Sequence, residues 1–173
     1  MKRSLILFLI CSTLFSCKPD RKAMLERTWR ADVLNNPQMD EMMRNGQMFI
    51  DTVGAHTDAG TNVILYGTTN MDSLKKGLQL QLDSVKNMQQ SAVQQTVFTF
   101  RKDGVAILQF NGNTDSSKWY FDDQGAIILD EMREKGAGDK IKMEIVSLSD
   151  TALKLNFQEN ETNSVVTFHP DTK

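Results

Sequence analysis

Apolar and polar residues alternate along the second half of the chain in short segments that end at turn residues. Segment 96–101 places Phe98 and Phe100 on one face, and Asp103-Gly104, a typical hairpin turn, follows it. Segments 105–110, 117–121, 126–129, 141–145, 153–158 and 166–168 continue the pattern. Because the turns between them are short, we expect each segment to pair with its neighbour as an antiparallel strand.

An eighth candidate strand, residues 28–34, lies near the start of the chain and contains Trp29. Eight strands can close into a barrel whose interior is filled by side chains or holds one small ligand. Closure also removes the exposed strand edges that promote aggregation. The pattern therefore predicts a mainly β protein built on an eight-stranded antiparallel barrel.

The interval of residues 36–95 has a helical pattern instead. Asn36 before Pro37 is a typical helix start, and Asn70 is the expected cap of a second helix. Gly46 is a possible break within the first helix, and residues 63–66, between the two helices, are a possible short extra strand. The apolar positions recur at helical spacing at Met39, Met42, Met43, Phe49, Ile50 and Val53, and again at Leu74, Leu78, Leu82, Val85 and Met88. We therefore expect an α-helical insertion between the first and second strands.

The first residues have the pattern of an export signal. Lys2 and Arg3 precede an apolar stretch, which ends in Leu14-Phe15-Ser16-Cys17. This ending resembles the lipobox of bacterial lipoproteins, which implies cleavage before Cys17 and a lipid on its sulfur; the alternative is an ordinary signal peptide cut elsewhere. The resemblance divides the chain into a signal peptide (1–16), a lipidated cysteine with a short tether (17–23) and a folded domain (24–173).

A lipid anchor at Cys17 implies the bacterial cell envelope, with the membrane as the first partner. Surface-exported lipoproteins often carry an acidic run after this cysteine, whereas Lys18-Pro19-Asp20-Arg21-Lys22 is mixed in charge. We therefore favour the outer membrane with the domain facing the periplasm over surface exposure.

Charge and cysteine content exclude several classes of function for the domain. The formal net charge is −2, and removal of Lys2 and Arg3 makes it −4, so no basic face for nucleic acid is expected. Cys11 leaves with the signal peptide and Cys17 is the anchor. The domain then has no disulfide, no thiolate nucleophile and no cysteine metal site.

Several short motifs resemble the lipocalin-like domain of bacterial lipoproteins. They are Leu25-Glu26-Arg27-Thr28-Trp29, then Phe98-Thr99-Phe100-Arg101-Lys102-Asp103-Gly104, then Ser117-Lys118-Trp119-Tyr120-Phe121, and finally Leu148-Ser149 before Leu153-Lys154-Leu155. The resemblance covers nearly the whole mature chain and implies a lipocalin-like barrel with the helical insertion after its first strand. Arg27 stands where the family has a glycine, so the close approach that glycine allows before the tryptophan is in question.

The aromatic residues of the strands are the candidate ligand-binding set. If they point inward they form an apolar pocket for a small hydrophobic ligand; the alternative is that they fill the barrel. The set comprises Trp29, Phe98, Phe100, Phe110, Trp119, Phe121 and Phe157. In the second case the protein is a non-enzymatic accessory lipoprotein that docks an envelope protein. A lined cavity below the insertion favours the first function, and exposed apolar residues on the helix near 71–90 favour the second.

Residues for catalysis or metal binding are sparse. No nucleophile elbow, zinc-protease motif, phosphate loop or dinucleotide fingerprint occurs in the sequence. The histidines His56 and His169 lie far apart, and they are expected to be exposed. Thioethers suit cuprous copper, but core packing is the favoured interpretation of Met39, Met42, Met43 and Met48. We therefore expect no enzymatic activity, no catalytic residue, no metal site and no cofactor.

Overall fold

A computed structural model describes residues 20–159 and 162–172. Eight strands form a closed barrel in chain order, and all neighbouring pairs are antiparallel, including the first with the last. The strands are β1 (Thr28–Asn35), β2 (Val97–Phe100), β3 (Val105–Phe110), β4 (Asn113–Phe121), β5 (Ile127–Asp130), β6 (Lys140–Leu148), β7 (Leu153–Glu159) and β8 (Thr162–Pro170). The helices are α1 (Arg21–Leu25), α2 (Pro37–Thr52), α3 (Ala59–Tyr66), α4 (Met71–Gln94) and α5 (Glu131–Lys135).

The predicted fold class is confirmed. The barrel has eight antiparallel strands, and helices α2 to α4 lie between β1 and β2. This architecture is consistent with the lipocalin-like barrel that the motifs imply. Among the described residues, no helix combines the length and the apolar character that a membrane span requires.

One end of the barrel is closed by α1 and by packed side chains. Asp20 caps α1 by accepting a hydrogen bond from the Lys22 amide at 2.9 Å, and α1 buries Leu25 completely. The indole Nε1 of Trp29, also fully buried, donates to the Leu25 carbonyl at 3.0 Å. Residues 21–23, assigned to the tether in the sequence analysis, are thus part of this closing helix.

The helical insertion forms an arm with its own buried residues. Helices α2 and α4 contact each other, with Gln47 donating to Gln79 at 3.2 Å, and the buried Ile50 and Val53 lie outside the core cluster of the barrel. Gly46 does not break α2; a Cβ at this position would lie 3.1 Å from Leu82, so glycine permits the close approach of α4. The arm is therefore a second, smaller packing unit attached to the barrel.

The predicted extra strand at residues 63–66 is wrong, because this segment belongs to helix α3. Asp58 caps α3 by accepting a hydrogen bond from the Thr61 amide at 2.9 Å. Gly67 ends it in the left-handed conformation at φ 72°. A short run of apolar residues does not distinguish strand from helix, whereas these two ends do.

Asp130 is a buried carboxyl at the boundary between β5 and α5. Its oxygens accept hydrogen bonds from the Arg133 amide at 3.1 Å and the Tyr120 hydroxyl at 3.2 Å, and Lys140 Nζ lies 3.2 Å away. Burial raises the pKa of Asp130, but these hydrogen bonds and Lys140 outweigh burial and leave the pKa below its ordinary value. The carboxylate thus holds α5 and the start of β6 against the strand before them.

We expect acid to weaken this junction. A carboxyl whose pKa is lower in the folded state stabilises the fold above its unfolded-state pKa, and that contribution is lost as the pH falls through the folded-state pKa. The Asp130→Asn variant should therefore have a lower melting temperature at neutral pH and a smaller loss on acidification. Thermal melts between neutral and strongly acidic pH measure both effects. If acidification lowered the melting temperature of the variant and of the wild type by the same amount, this role of Asp130 would be contradicted.

Candidate functional site

An apolar cavity of about 460 Å³ opens at the other end of the barrel, where β1, β3, β5 and β7 finish. This volume lies within the usual range for small-molecule pockets. Strands β2, β3, β6 and β7 supply large apolar side chains to its wall, among them Phe98, Leu108, Phe110, Ile141, Met143 and Phe157. The barrel is therefore filled at one end and hollow at the other.

The wall of the cavity has few polar groups. Thr96 and Gln158 are the polar residues among the described ones that line it, and none of these lining residues is charged. The Thr96 hydroxyl donates to the Ala92 carbonyl at 2.9 Å, so it is already engaged. Such a wall stabilises a ligand by removing apolar surface from water, at about 25 cal/mol per Å². A charged group inside the cavity would lose its hydration without gaining an ion-pair partner.

The candidate ligand-binding residues divide between the two ends of the barrel. Phe98, Phe110 and Phe157 line the cavity. The other four are not among its lining residues and belong to the closed end: Trp29, Phe100, Trp119 and Phe121.

Three of those residues, Phe100, Trp119 and Phe121, form a packed aromatic group. Trp29 belongs to the buried core cluster of the barrel. The rings of Phe100 and Trp119 meet edge to face at 5.4 Å between centroids, and those of Trp119 and Phe121 at 5.8 Å. The Trp119 indole donates to the Arg101 carbonyl at 3.1 Å. Trp29, Phe100 and Trp119 therefore belong to the hydrophobic core, and Phe121 packs against it.

Cationic side chains lie over this closed end. Arg27 lies 5.4 Å from the centroid of the Trp29 ring, Lys22 5.8 Å from that of Trp119, and Arg21 5.9 Å from that of Phe121. Cation–π attraction at such exposed sites contributes roughly 0.5–1 kcal/mol each. Arg27 thus covers the buried Trp29. Arg21, Lys22 and Arg27 place positive charge next to the start of α1, where the Arg27 guanidinium also lies 3.7 Å from the Asp150 carboxylate.

The arm contributes directly to the cavity. Strand β1 pairs with β2 only over Thr28–Arg30, and Val93 from the last turn of α4 lines the cavity. The Ala31 amide donates to the Thr96 carbonyl at 2.9 Å, which connects β1 to the end of the insertion. Sequence periodicity did not identify Val93, because it follows the last position of the apolar pattern noted in α4.

A second, polar space of about 560 Å³, called the rim groove here, lies against β6 and β7 at the same end. It is lined by Lys140, Ile141, Lys142, Glu144, Asn156, Phe157, Gln158 and Asn163. Three of these, Ile141, Phe157 and Gln158, also line the cavity. The groove is not apparent from the sequence, because its residues come from three separate strands.

Both lysines of the rim groove have acidic partners. Lys140 pairs with Asp130 at 3.2 Å, and Lys142 with Asp122 at 2.9 Å. The hydrogen bond from Lys142, together with the Ala126 amide, lowers the pKa of Asp122 below its ordinary value. The positive charge of the groove is therefore largely neutralised.

The two histidines considered for metal binding lie apart. His56 is exposed in the arm, and His169 is exposed on β8 of the barrel. Met39, Met42, Met43 and Met48 all lie on α2. Within residues 20–159 and 162–172, no three histidine, cysteine or acidic side chains are grouped closely enough to hold a metal ion. Cys17 lies outside the described residues.

The arm also exposes large apolar side chains. On α3, Ile64 is 84% exposed, and Val63 and Leu65 are about half exposed. On α4 the exposed apolar residues are Leu80, Val85 and Met88. Contiguous exposed apolar surface is typical of interaction sites.

Comparison of the chain with protein-family models, curated proteins and solved structures found no match.

Proposed function

We propose that this protein is a lipid-anchored binding protein of the bacterial cell envelope that holds a small hydrophobic ligand in the open end of its barrel. The observation that carries the proposal is the apolar cavity of about 460 Å³ beside Val93. A lined cavity below the insertion is the feature that favours ligand binding over docking. The protein acts by removing an apolar molecule from water, without catalysis, metal or cofactor.

The proposed anchor at Cys17 agrees with the position of the closed end. Asp20, which caps α1, is the third residue after Cys17, and three extended residue steps span at most about 11 Å. Arg21, Lys22 and Arg27 lie at this end, and each basic residue near an anionic membrane contributes about 1 kcal/mol. In this orientation the closed end faces the membrane and the cavity opens away from it.

Native mass spectrometry of the full-length chain tests ligand binding. We expect a mass above that of the polypeptide with its anchor, and solvent extraction should release an apolar small molecule. If the protein is isolated empty, N-phenyl-1-naphthylamine should bind and its emission should shift to shorter wavelength. A protein of bare mass that also leaves this probe unbound would reject the proposal. Incorporation of a palmitate analogue in the wild type but not in a Cys17→Ala variant tests the anchor separately.

The second candidate function is docking of an envelope protein through the arm. The exposed Leu80, Val85 and Met88 on α4 favour it, as do Val63 and Ile64 on α3. In vivo cross-linking from photoreactive residues at positions 64 and 88 tests this candidate. A protein partner captured at both positions, together with failure of the binding experiments above, would favour docking over ligand transport.

A further inference from the structure

Strands β6 and β7 separate at the open end of the barrel. Their pairing begins with Met143 opposite Phe157, although β6 starts at Lys140 and β7 continues to Glu159. The first residues of β6 pair with β5, and the last residues of β7 pair with β8. An antiparallel pair that ends early leaves its two strands unbridged beyond that point. The barrel wall therefore lacks strand pairing between β6 and β7 at this end, and this unpaired stretch is called the slot here.

The slot connects the apolar cavity with the rim groove. Ile141 borders it on β6, Phe157 and Gln158 border it on β7, and all three residues line both spaces. One space is apolar and lies inside the barrel, whereas the other is polar and lies at the outer surface. A molecule with an apolar tail and a polar headgroup matches this pair of spaces.

The charges of the groove restrict the headgroup. An anionic headgroup would compete with Asp130 and Asp122 for the two lysines, and it would lie near the carboxylate of Glu144. A cationic headgroup would lie beside Lys140 and Lys142. An uncharged headgroup avoids both conflicts.

The groove also contains an acceptor that lacks a donor. The Asn156 side-chain nitrogen donates to Glu144 Oε2 at 3.2 Å. The oxygen of the same amide is buried and accepts no hydrogen bond from the residues that the structure describes. Leaving a buried acceptor unpaired is unfavourable, and a hydroxyl or amide N–H of a ligand can supply the missing donor.

We propose that the ligand is a single-chain amphiphile with an uncharged, hydrogen-bond-donating headgroup. Its tail occupies the cavity, its headgroup passes through the slot, and Asn156 and Gln158 bind the headgroup in the rim groove. This inference rests on the proposed function, since it requires that the cavity binds a ligand at all.

The test is displacement of N-phenyl-1-naphthylamine from the full-length chain, purified without detergent, by three amphiphiles with the same tail. They are monolauroylglycerol, which is uncharged, lauric acid, which is anionic, and dodecyltrimethylammonium, which is cationic. We expect monolauroylglycerol to bind about fivefold more tightly than either charged compound, the effect of one net hydrogen bond. The Asn156→Leu variant should lose this preference and bind the fluorescent probe as the wild type does.

Two further variants complete the experiment. Gln109→Leu removes an exposed amide from β3, outside the groove, and should keep the preference. If Asn156→Leu does not fold, Gln158→Leu replaces it, because the Gln158 side chain is exposed and its loss should also reduce the preference. Equal binding of the three amphiphiles, tighter binding of a charged one, or a preference that survives in the groove variant would overturn the headgroup site and leave the cavity proposal standing. Absence of probe binding to the wild type would overturn the proposed function itself.

Discussion

Replacing Trp29 with alanine is expected to lower the free energy of unfolding by about 3–5 kcal/mol, the usual cost of deleting a large buried aromatic side chain. Trp29 is fully buried in the core cluster of the barrel. Its indole nitrogen donates to the Leu25 carbonyl, and Arg27 lies over its ring. The variant removes the packing, the hydrogen bond that holds α1, and the surface that Arg27 covers. Urea denaturation followed by circular dichroism measures the change.

Phe110 provides the matched control for Trp29. Its side chain is 59% exposed at the open end, so Phe110→Ala should cost less than about 1 kcal/mol. A Trp29→Ala variant as stable as Phe110→Ala would show that the closed end does not hold the barrel together.

Replacing Leu108 with tryptophan is expected to weaken ligand binding at least about tenfold. Leu108 lines the cavity from β3 and is partly buried against the core, so the larger indole occupies space that a ligand needs. Each tenfold change corresponds to about 1.4 kcal/mol, and overpacking a site commonly costs 1–3 kcal/mol. Titration with N-phenyl-1-naphthylamine measures the affinity, and a thermal melt checks that the barrel remains folded.

The next residue on the same strand provides the control for Leu108. Gln109 is exposed and is not among the residues that line the cavity. Gln109→Trp adds the same side chain outside the barrel and should leave the affinity unchanged. Equal affinities for the two variants would place the binding site outside this cavity.

Strand periodicity predicted the barrel because each strand has one buried face. The alternation at Phe98 and Phe100 indicates that both point inward, and both do contribute to the core or its border. The helix starts at Asn36 and Asn70 were predicted correctly, because a side-chain cap is a local interaction that the sequence shows directly.

The alternation of apolar and polar residues did not predict how far along the barrel axis each side chain lies. Phe98 and Phe100 share a face and are two residues apart, yet Phe98 lines the cavity and Phe100 packs in the closed end. The register of β2 against β1 and β3 determines whether a residue of β2 lies in the cavity or in the packed closed end. Register is a property of strand pairs, whereas alternation is a property of one strand. For the same reason the slot between β6 and β7 was not visible in the sequence.

The order of the strands also determines when the barrel can form. Strand β1 pairs with β2 across the whole insertion and with β8 at the other end of the chain, where Arg30 meets Asp171 at a separation of 141 residues. Contacts between such distant segments form slowly, because a long loop must close before they become favourable. During synthesis, one edge of β1 therefore stays unpaired until β2 has emerged after the insertion, and the other edge stays unpaired until β8 has emerged. Removal of β8 would leave β1 and β7 as open edges, so we expect chains truncated before this strand to aggregate rather than fold into smaller barrels.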